Sequence, residues 1–355
     1  MKRVAVIEGD GAAPEAVRPS LTLIDKLGID LEWVYPPVGD TGMAAHGSAF
    51  PPAARAIIDT ADATLFGATS GASAAALFYL RWGKQTYANV RPIRYCVGFE
   101  SPLARPAGID FVIVRENLED LYVGVEGDVT DLAPLKLQSV TSRRAVTEMA
   151  PGAFALKVIT ERGSERVARF ACELARRRKS LGRPGRVTCA TKHNMLPRSD
   201  GLFRAVAERV AKQYPDIEFE SYIVDDFARR LVAEPTALDV VLLPNLYGDV
   251  LSDAAAGLIG GLGLAPSACY GDTYAYFEPA HGTAPDLAGQ NAINPTATLL
   301  SASMMLGYLG YGDAARRLIV AIEQLYAERQ IRTRDQGGTA TTTEFCDALA
   351  EKLVH

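Results

Sequence analysis

Short apolar runs alternate with amphipathic stretches along the whole chain. Val4-Ala5-Val6-Ile7 is an apolar run closed by Gly9-Asp10-Gly11, the pattern of a buried strand entering a loop. Pro14 and Glu15 open a helix that reaches about Leu27, with proline at an early position where its missing N–H costs nothing. Residues 31–34 and 62–66 predict further strands with helical stretches between them. A second series starts near residue 110. Phe111–Val114 predicts a strand with Arg115 at its carboxyl end, and Ser164–Arg178 a helix with Val167, Phe170, Ala171 and Leu174 on one face. Val187–Thr191 predicts a strand ending at Lys192. Asp200 reads as the cap of a helix carrying Phe203, Val206 and Val210, with Pro215 beyond its end. Ile217 and Phe219 begin a strand that reaches Val224, and Val240–Leu243 is wholly apolar, as in a strand buried on both faces. This alternation predicts an α/β fold whose largely parallel sheet is flanked by helices.

A chain of 355 residues exceeds one ordinary core, so two lobes are expected. Gly98, Pro102, Pro106 and Gly108 crowd a boundary near 95–108, and Gly257, Gly260, Gly261 and Gly263 mark a return. One lobe would then combine residues 1–97 with 254–355, the other residues 98–253. There is no internal repeat and no low-complexity segment.

Apolar residues at 48%, charged residues at 22% and a formal charge of −5 describe a folded globular chain without a basic nucleic-acid footprint. Arg176–Arg178 ends a helical pattern and reads as a solvated terminus. The five cysteines show no CxxC pairing, which argues against a disulfide framework or a structural zinc. Only four apolar residues follow Lys2 and Arg3, against the roughly 7–15 of a signal peptide. No apolar run nears the ~18 of a membrane span. A cytoplasmic location with no membrane partner is expected.

Candidate chemistry begins at Asn245-Leu-Tyr-Gly-Asp249-Val-Leu-Ser-Asp253. Asp249 and Asp253, four apart on a helix, share a face and repel unless a cation intervenes, and their hard oxygens suit Mg2+ or Mn2+. Two acids attracted to a helix N-terminus explain the same spacing. Asp225 and Asp226 are a further candidate ligand source, or ordinary caps. The Gly9–Gly11 loop imitates a dinucleotide fingerprint, but Pro14 stands where Gly or Ala is needed and Glu32 falls inside a strand. Arg81, Arg91 and Arg115 fall at element ends, and if they converge they imply a small polyanionic substrate. Lys192 lies at the carboxyl edge of its strand, where open sheets bind ligands. Tyr122 alone reads as a half-buried core aromatic. His193 and His281 occupy promising loops, while His46 and the terminal His355 do not. Neither a zinc spacing nor a Ser-His-Asp order emerges.

Taken together, GDGAAPE (9–15), YANVRP (87–92), VRENLEDLYVG (114–124), KHNMLPRSDGLF (192–203), NLYGDVLSD (245–253) and FEPAHGTAPDLAGQNAINPTATLLSASMML (277–306) resemble the isocitrate, isopropylmalate and homoisocitrate dehydrogenases. These are the β-decarboxylating dehydrogenases, and the homoisocitrate and NAD-type isocitrate enzymes look nearest. The resemblance covers nearly the whole chain in order. It implies a two-lobed, non-Rossmann, isopropylmalate-dehydrogenase-like fold and a homodimer with shared active sites, the dimer interface and metal site lying in the 98–253 lobe. It assigns the substrate carboxylates to Arg81, Arg91 and Arg115, and Mg2+ or Mn2+ to Asp249 and Asp253 with Asp225 of the partner subunit. Lys192, also from the partner, becomes the base or orients the water that serves as one, and Tyr122 the proton donor. Asn194 falls near the nicotinamide, and Glu278, His281, Gly282, Ala284, Asp286 and Asn294 belong to the cofactor loop. Asp286 would accept from a free ribose 2′-hydroxyl and repel a 2′-phosphate, so NAD is expected over NADP.

The segment from Thr69 to Arg81 departs from every member. It is shorter than in homoisocitrate enzymes, with Ala75 and Leu77 where isocitrate enzymes place Ser and Asn, and Ala13 replaces a glycine of the first loop. The expected substrate is isocitrate, followed by homoisocitrate, isopropylmalate, tartrate or a carboxy-phosphonate analogue. Two rivals of other classes are a non-catalytic regulatory subunit, opposed by the intact Tyr122, Lys192 and aspartate set, and a plain Rossmann binding protein.

Overall fold

The computed structural model describes residues 1–354; His355 lies outside the described residues. Its strands are β1 (Lys2–Ile7), β2 (Leu31–Val34), β3 (Ala63–Phe66), β4 (Ala88–Arg94), β5 (Asp110–Glu116), β6 (Glu126–Asp128), β7 (Ala153–Ala155), β8 (Arg186–Thr191), β9 (Glu218–Ile223), β10 (Val240–Leu243), β11 (Pro266–Tyr270) and β12 (Ala275–Pro279). The helices are α1 (Ala13–Asp25), α2 (Asp40–His46), α3 (Pro52–Thr60), α4 (Ala74–Phe78), α5 (Glu161–Ser180), α6 (Ser199–Ala211), α7 (Val224–Ala233), α8 (Asn245–Ile259), α9 (Thr296–Tyr308), α10 (Gly312–Glu328) and α11 (Thr342–Val354).

Ten strands join in one mixed, mostly parallel sheet of order β2-β1-β3-β12-β11-β4-β5-β10-β8-β9, while β6 and β7 form a separate antiparallel arm. Strands from the two chain ends therefore build one half of the sheet, and strands between residues 110 and 243 the other. This order differs from that of a dinucleotide-binding doubly wound sheet, in keeping with the non-Rossmann expectation. Antiparallel pairing is confined to the middle, where β11 pairs β12 and β4, and β4 pairs β5. The turn after Tyr270 reverses the chain directly, with Gly271 donating to the Tyr274 carbonyl at 2.8 Å.

The apolar run of β10 divides its side chains between two cores. Val240 and Leu242 pack with Val167 of α5 and Phe203 of α6, whereas Val241 and Leu243 join Ala255 and Ile259 of α8. In α5, Thr160 caps the first turn by accepting from the Gly163 amide at 3.0 Å. The buried stripe of that helix is Val167, Ala168, Ala171, Cys172 and Ala175, so the expected Phe170 and Leu174 lie at its margin.

Two local expectations are corrected. Asp200 does not cap α6: it lies inside the first turn, fully buried, and accepts from the Lys192 backbone amide at 2.6 Å. Nor is Arg178 solvated. Its guanidinium reaches Asp239 (2.6 Å) and Asp110 (3.0 Å), and the buried Asp239 also accepts from the Gly185 and Arg186 amides. Arg178→Met should therefore lower unfolding free energy by about 3 kcal/mol, because one partner of a buried pair is left behind. A urea midpoint within error of wild type would contradict this assignment.

Candidate active site

Strand register assembles the centre of the site. Tyr276, Cys269, Asn89 and Arg115 are successive cross-strand partners over four strands, so they project from one face of the sheet. Arg91, two residues beyond Asn89, shares that face. Arg81 approaches from the π-type turn Tyr79–Gly83 that continues α4, and its Nε donates to the Tyr276 hydroxyl at 3.1 Å. Glu278, the expected cofactor residue, lies 3.7 Å from the Arg81 guanidinium and thus beside the arginines.

Helix α8 crosses above β4 and β5 and brings its acids to these guanidinium groups. Arg91 donates to Ser252 and Asp253, both at 2.7 Å, and lies 3.5 Å from Asp249. Arg115, only 1% exposed, pairs with Asp249, and Asn245 accepts from it at 2.8 and 2.6 Å. The close approach requires Gly248, since a Cβ there would meet the Arg115 side chain at 2.6 Å. Burial, despite Asp249, pulls the Arg115 pKa down to about 10, with Arg91 and Arg81 adding to the fall, so it stays charged at neutral pH. Burial raises Asp249, but Arg115, Tyr122 and Arg91 hold it below the usual carboxylate range. Asp253 is raised, by burial and by the neighbouring Asp249 charge. Tyr122 donates to the second Asp249 oxygen at 2.7 Å, and burial with that carboxylate raises its pKa.

Lys192 and Asp225 pair with each other. Among the described residues no three His, Cys, Asp or Glu side chains gather as a metal site. Asn194 is exposed in the loop after Lys192. His281, Gly282, Ala284 and Asn294 line a cleft of 330 Å3. His281 Nε2 is buried there without a partner, and burial lowers the ring's pKa, keeping it neutral. Asn294 is anchored by Asp335 (2.9 Å) and Tyr326 (3.2 Å). Asp286 is exposed on the turn Pro285–Leu287 beside that cleft.

Sequence reasoning missed several supporting residues. Asp10 accepts from Thr69, Ser73 and the amides of Ser70 and Gly71, so the first glycine loop organises the segment before Arg81. The same loop meets the cofactor segment where Ala12 donates to the Thr283 carbonyl at 2.9 Å. A Cβ on Gly9 or Gly11 would lie 2.3 or 2.6 Å from a carbonyl oxygen, and both have positive φ, so these glycines serve close packing. Asn89 could have been found from its i−2 spacing to Arg91 on a strand; Asn245 and Ser252 carried no comparable signal.

Residues 3–349 match the isocitrate/isopropylmalate dehydrogenase family. The chain is 42% identical to the 3-isopropylmalate/3-methylmalate dehydrogenase of Methanocaldococcus jannaschii, covering 99% of both proteins. It is 41% identical to the isocitrate/homoisocitrate dehydrogenase of Thermus thermophilus, over 99% of this chain and 98% of that protein. The isocitrate dehydrogenase structure from Methylococcus capsulatus superposes with a TM-score of 0.87 at 33% identity, covering 100% of both chains. The chain belongs to the isocitrate/isopropylmalate dehydrogenase family, the β-decarboxylating oxidoreductases that act on the CH–OH group of small polycarboxylates. Members of this family require a metal and use NAD or NADP.

The turn carrying Tyr122 begins at Glu116, whose buried carboxylate accepts from the Leu118 and Glu119 amides. Burial, against those hydrogen bonds, pushes it up to about 7 from its ordinary 4.5. The folded protein thus holds this proton more tightly than the unfolded chain, so stability falls as pH rises between those values. Glu116→Gln should flatten thermal stability across that window. An unchanged pH slope would contradict it.

Proposed function

We propose that the chain oxidises a 3-substituted malate with NAD and releases its β-carboxylate as CO2, as a homodimer with shared active sites. The observation that carries this reading is the meeting of Arg81, Arg91 and Arg115 with Asp249, Asp253 and Tyr122 on one sheet face.

Charge balance supports it. Three guanidinium groups face Asp249, Asp253 and Glu278, a neutral set. A dianionic substrate on the arginines would expose the two aspartates, and a divalent cation held by Asp249 and Asp253 would offset the substrate's charge. Cation and substrate are therefore expected to bind cooperatively. The hard carboxylates of Asp249 and Asp253 would hold Mg2+ or Mn2+, which would supply Lewis acidity beside the C2 oxygen. His281, Gly282, Ala284 and Asn294, with Asp286 beside them, would hold NAD, which would supply the acceptor for the C2 hydride. The arginines hold the carboxylates and fix which one departs. Tyr122 gives its proton to the carbon that loses CO2, and Lys192 of the partner takes or relays the hydroxyl proton.

The homodimer is supported by the β6–β7 arm and its connections, where Leu135, Val140 and Met149 are 63%, 84% and 55% exposed. It is also supported by the pairing of Lys192 with Asp225 and by the absence, among the described residues of one chain, of a group that joins Asp225 to Asp249 and Asp253. The NAD reading is supported by the cleft at His281 and Asn294, with the acidic Asp286 beside it.

One observation favours an alkyl 3-substituent over the carboxymethyl group of isocitrate. Leu77 and Phe78 lie one turn before Arg81, Phe78 is 57% exposed against the edge of Trp82, and α4 carries no basic residue. No helix among the described residues is long and apolar enough to cross a membrane.

The test is to incubate substituted malates with NAD or NADP, with and without Mn2+, measuring reduced cofactor and CO2 together. Equal amounts of both, lost with chelator and restored by Mn2+, are expected. Reduced cofactor without CO2 would overturn the reading. Asp286→Lys should shift the NADP/NAD preference by roughly tenfold or more toward NADP through the reversed charge at the 2′-position. Unchanged selectivity would remove Asp286 from the cofactor site.

A further inference from the structure

Lys157 lies in the stretch that returns from the β6–β7 arm, outside every group discussed so far. Its ammonium is 2.7 Å from Asp200 and 3.3 Å from Asp120, and it sits 4.4 Å above the Tyr247 ring. Both carboxylates are fully buried, and the facing Asp200 oxygen has no donor other than the Lys157 ammonium. The lysine side chain is itself 14% exposed.

Each carboxylate uses its other contacts on catalytic loops. Asp200 accepts from the Lys192 amide at 2.6 Å. Asp120, two residues before Tyr122, accepts from Leu121 at 2.9 Å and from Leu246, at the start of α8, at 3.1 Å. Asp120 has φ +70°, a conformation that persists in a non-glycine residue only when its surroundings impose it. Burial lowers the Lys157 pKa, but Asp200 and Asp120 more than reverse that, so the ammonium is retained.

We infer that Lys157 is a positioning residue that sets the Tyr122 loop, the Lys192 loop and the start of α8 in one fixed arrangement. Two buried carboxylates with one cation between them cannot separate without stranding a charge, so the loops they brace move together or not at all. The inference rests on the roles proposed above for Tyr122 and Lys192. On the shared-site reading these side chains serve different active sites of the dimer, so a single ammonium governs geometry at both.

Lys157→Met keeps the stem and deletes the charge. Hydrogen exchange of the full-length protein should rise about tenfold or more in peptides covering both 119–123 and 192–196. With the malate that wild type turns over, kcat should fall by about 100-fold through misplacement of reacting groups. KM should stay near wild type, because the arginines hang on the turn after α4, on β4 and on β5. Exchange confined to residues around 157, or kcat and KM changing together with melting temperature, would overturn the inference. Should Lys157→Met not fold, the Lys157→Met/Asp200→Asn pair removes one charge of each sign while the new side-chain amide oxygen still accepts from the Lys192 backbone. It should fold with the 192–196 loop protected and the 119–123 loop exposed to exchange, and full protection of both loops would overturn the inference. A wild-type chain inactive on every malate would refute the proposed function while leaving the exchange result to stand or fall separately.

Discussion

A buried guanidinium is tolerable only where anions and carbonyl-type acceptors meet it, and Arg115 is the side chain on which this fold depends. It leaves β5 near the middle of the sheet, and α8 must cross close enough for Asn245 and Asp249 to receive it. Gly248 permits that approach, and Arg91 repeats the arrangement one step along with Ser252 and Asp253. The opening turns of α8 are thereby pinned over two arginines, and the acids that neutralise them are the groups a cation would need.

The placement of the site follows from the sheet. Antiparallel pairing at β12, β11, β4 and β5 lets four strands from distant parts of the sequence present one row of polar side chains. The two halves of the sheet meet along this row, so loops from both converge on it. The Gly9–Gly11 loop braces the segment before Arg81 from one side, and the Asp120–Lys157–Asp200 network braces the Tyr122 and Lys192 loops from the other.

Much of this was legible in the chain alone. The apolar runs of β1, β3, β5, β8 and β10 fell where periodicity put them, because a strand buried on both faces has no polar alternative. The motifs carrying Arg91, Arg115, Tyr122, Lys192, Asp249 and Asp253 were recognisable because each lies within a short, contiguous segment, whereas Arg81 and Asp225 lie outside those segments. Asp200 and Arg178 were misread for a common reason: local propensity favours acids at helix starts and bases at helix ends, and here tertiary partners claimed both. Lys157 was invisible because its meaning lies in two acids 37 and 43 residues away, in opposite directions. The antiparallel middle of the sheet was equally hidden, since apolar patterning does not encode strand direction.

The central claim is that Asp249 and Asp253 exchange their arginine partners for a divalent ion when a polycarboxylate takes the arginines. Electron paramagnetic resonance of Mn2+ titrated into the protein, with and without the turned-over malate, measures this directly. The account predicts one bound ion per chain, tighter by about tenfold or more when substrate is present, and no such site in Asp249→Asn. Mn2+ binding that is indifferent to substrate and survives Asp249→Asn would contradict it.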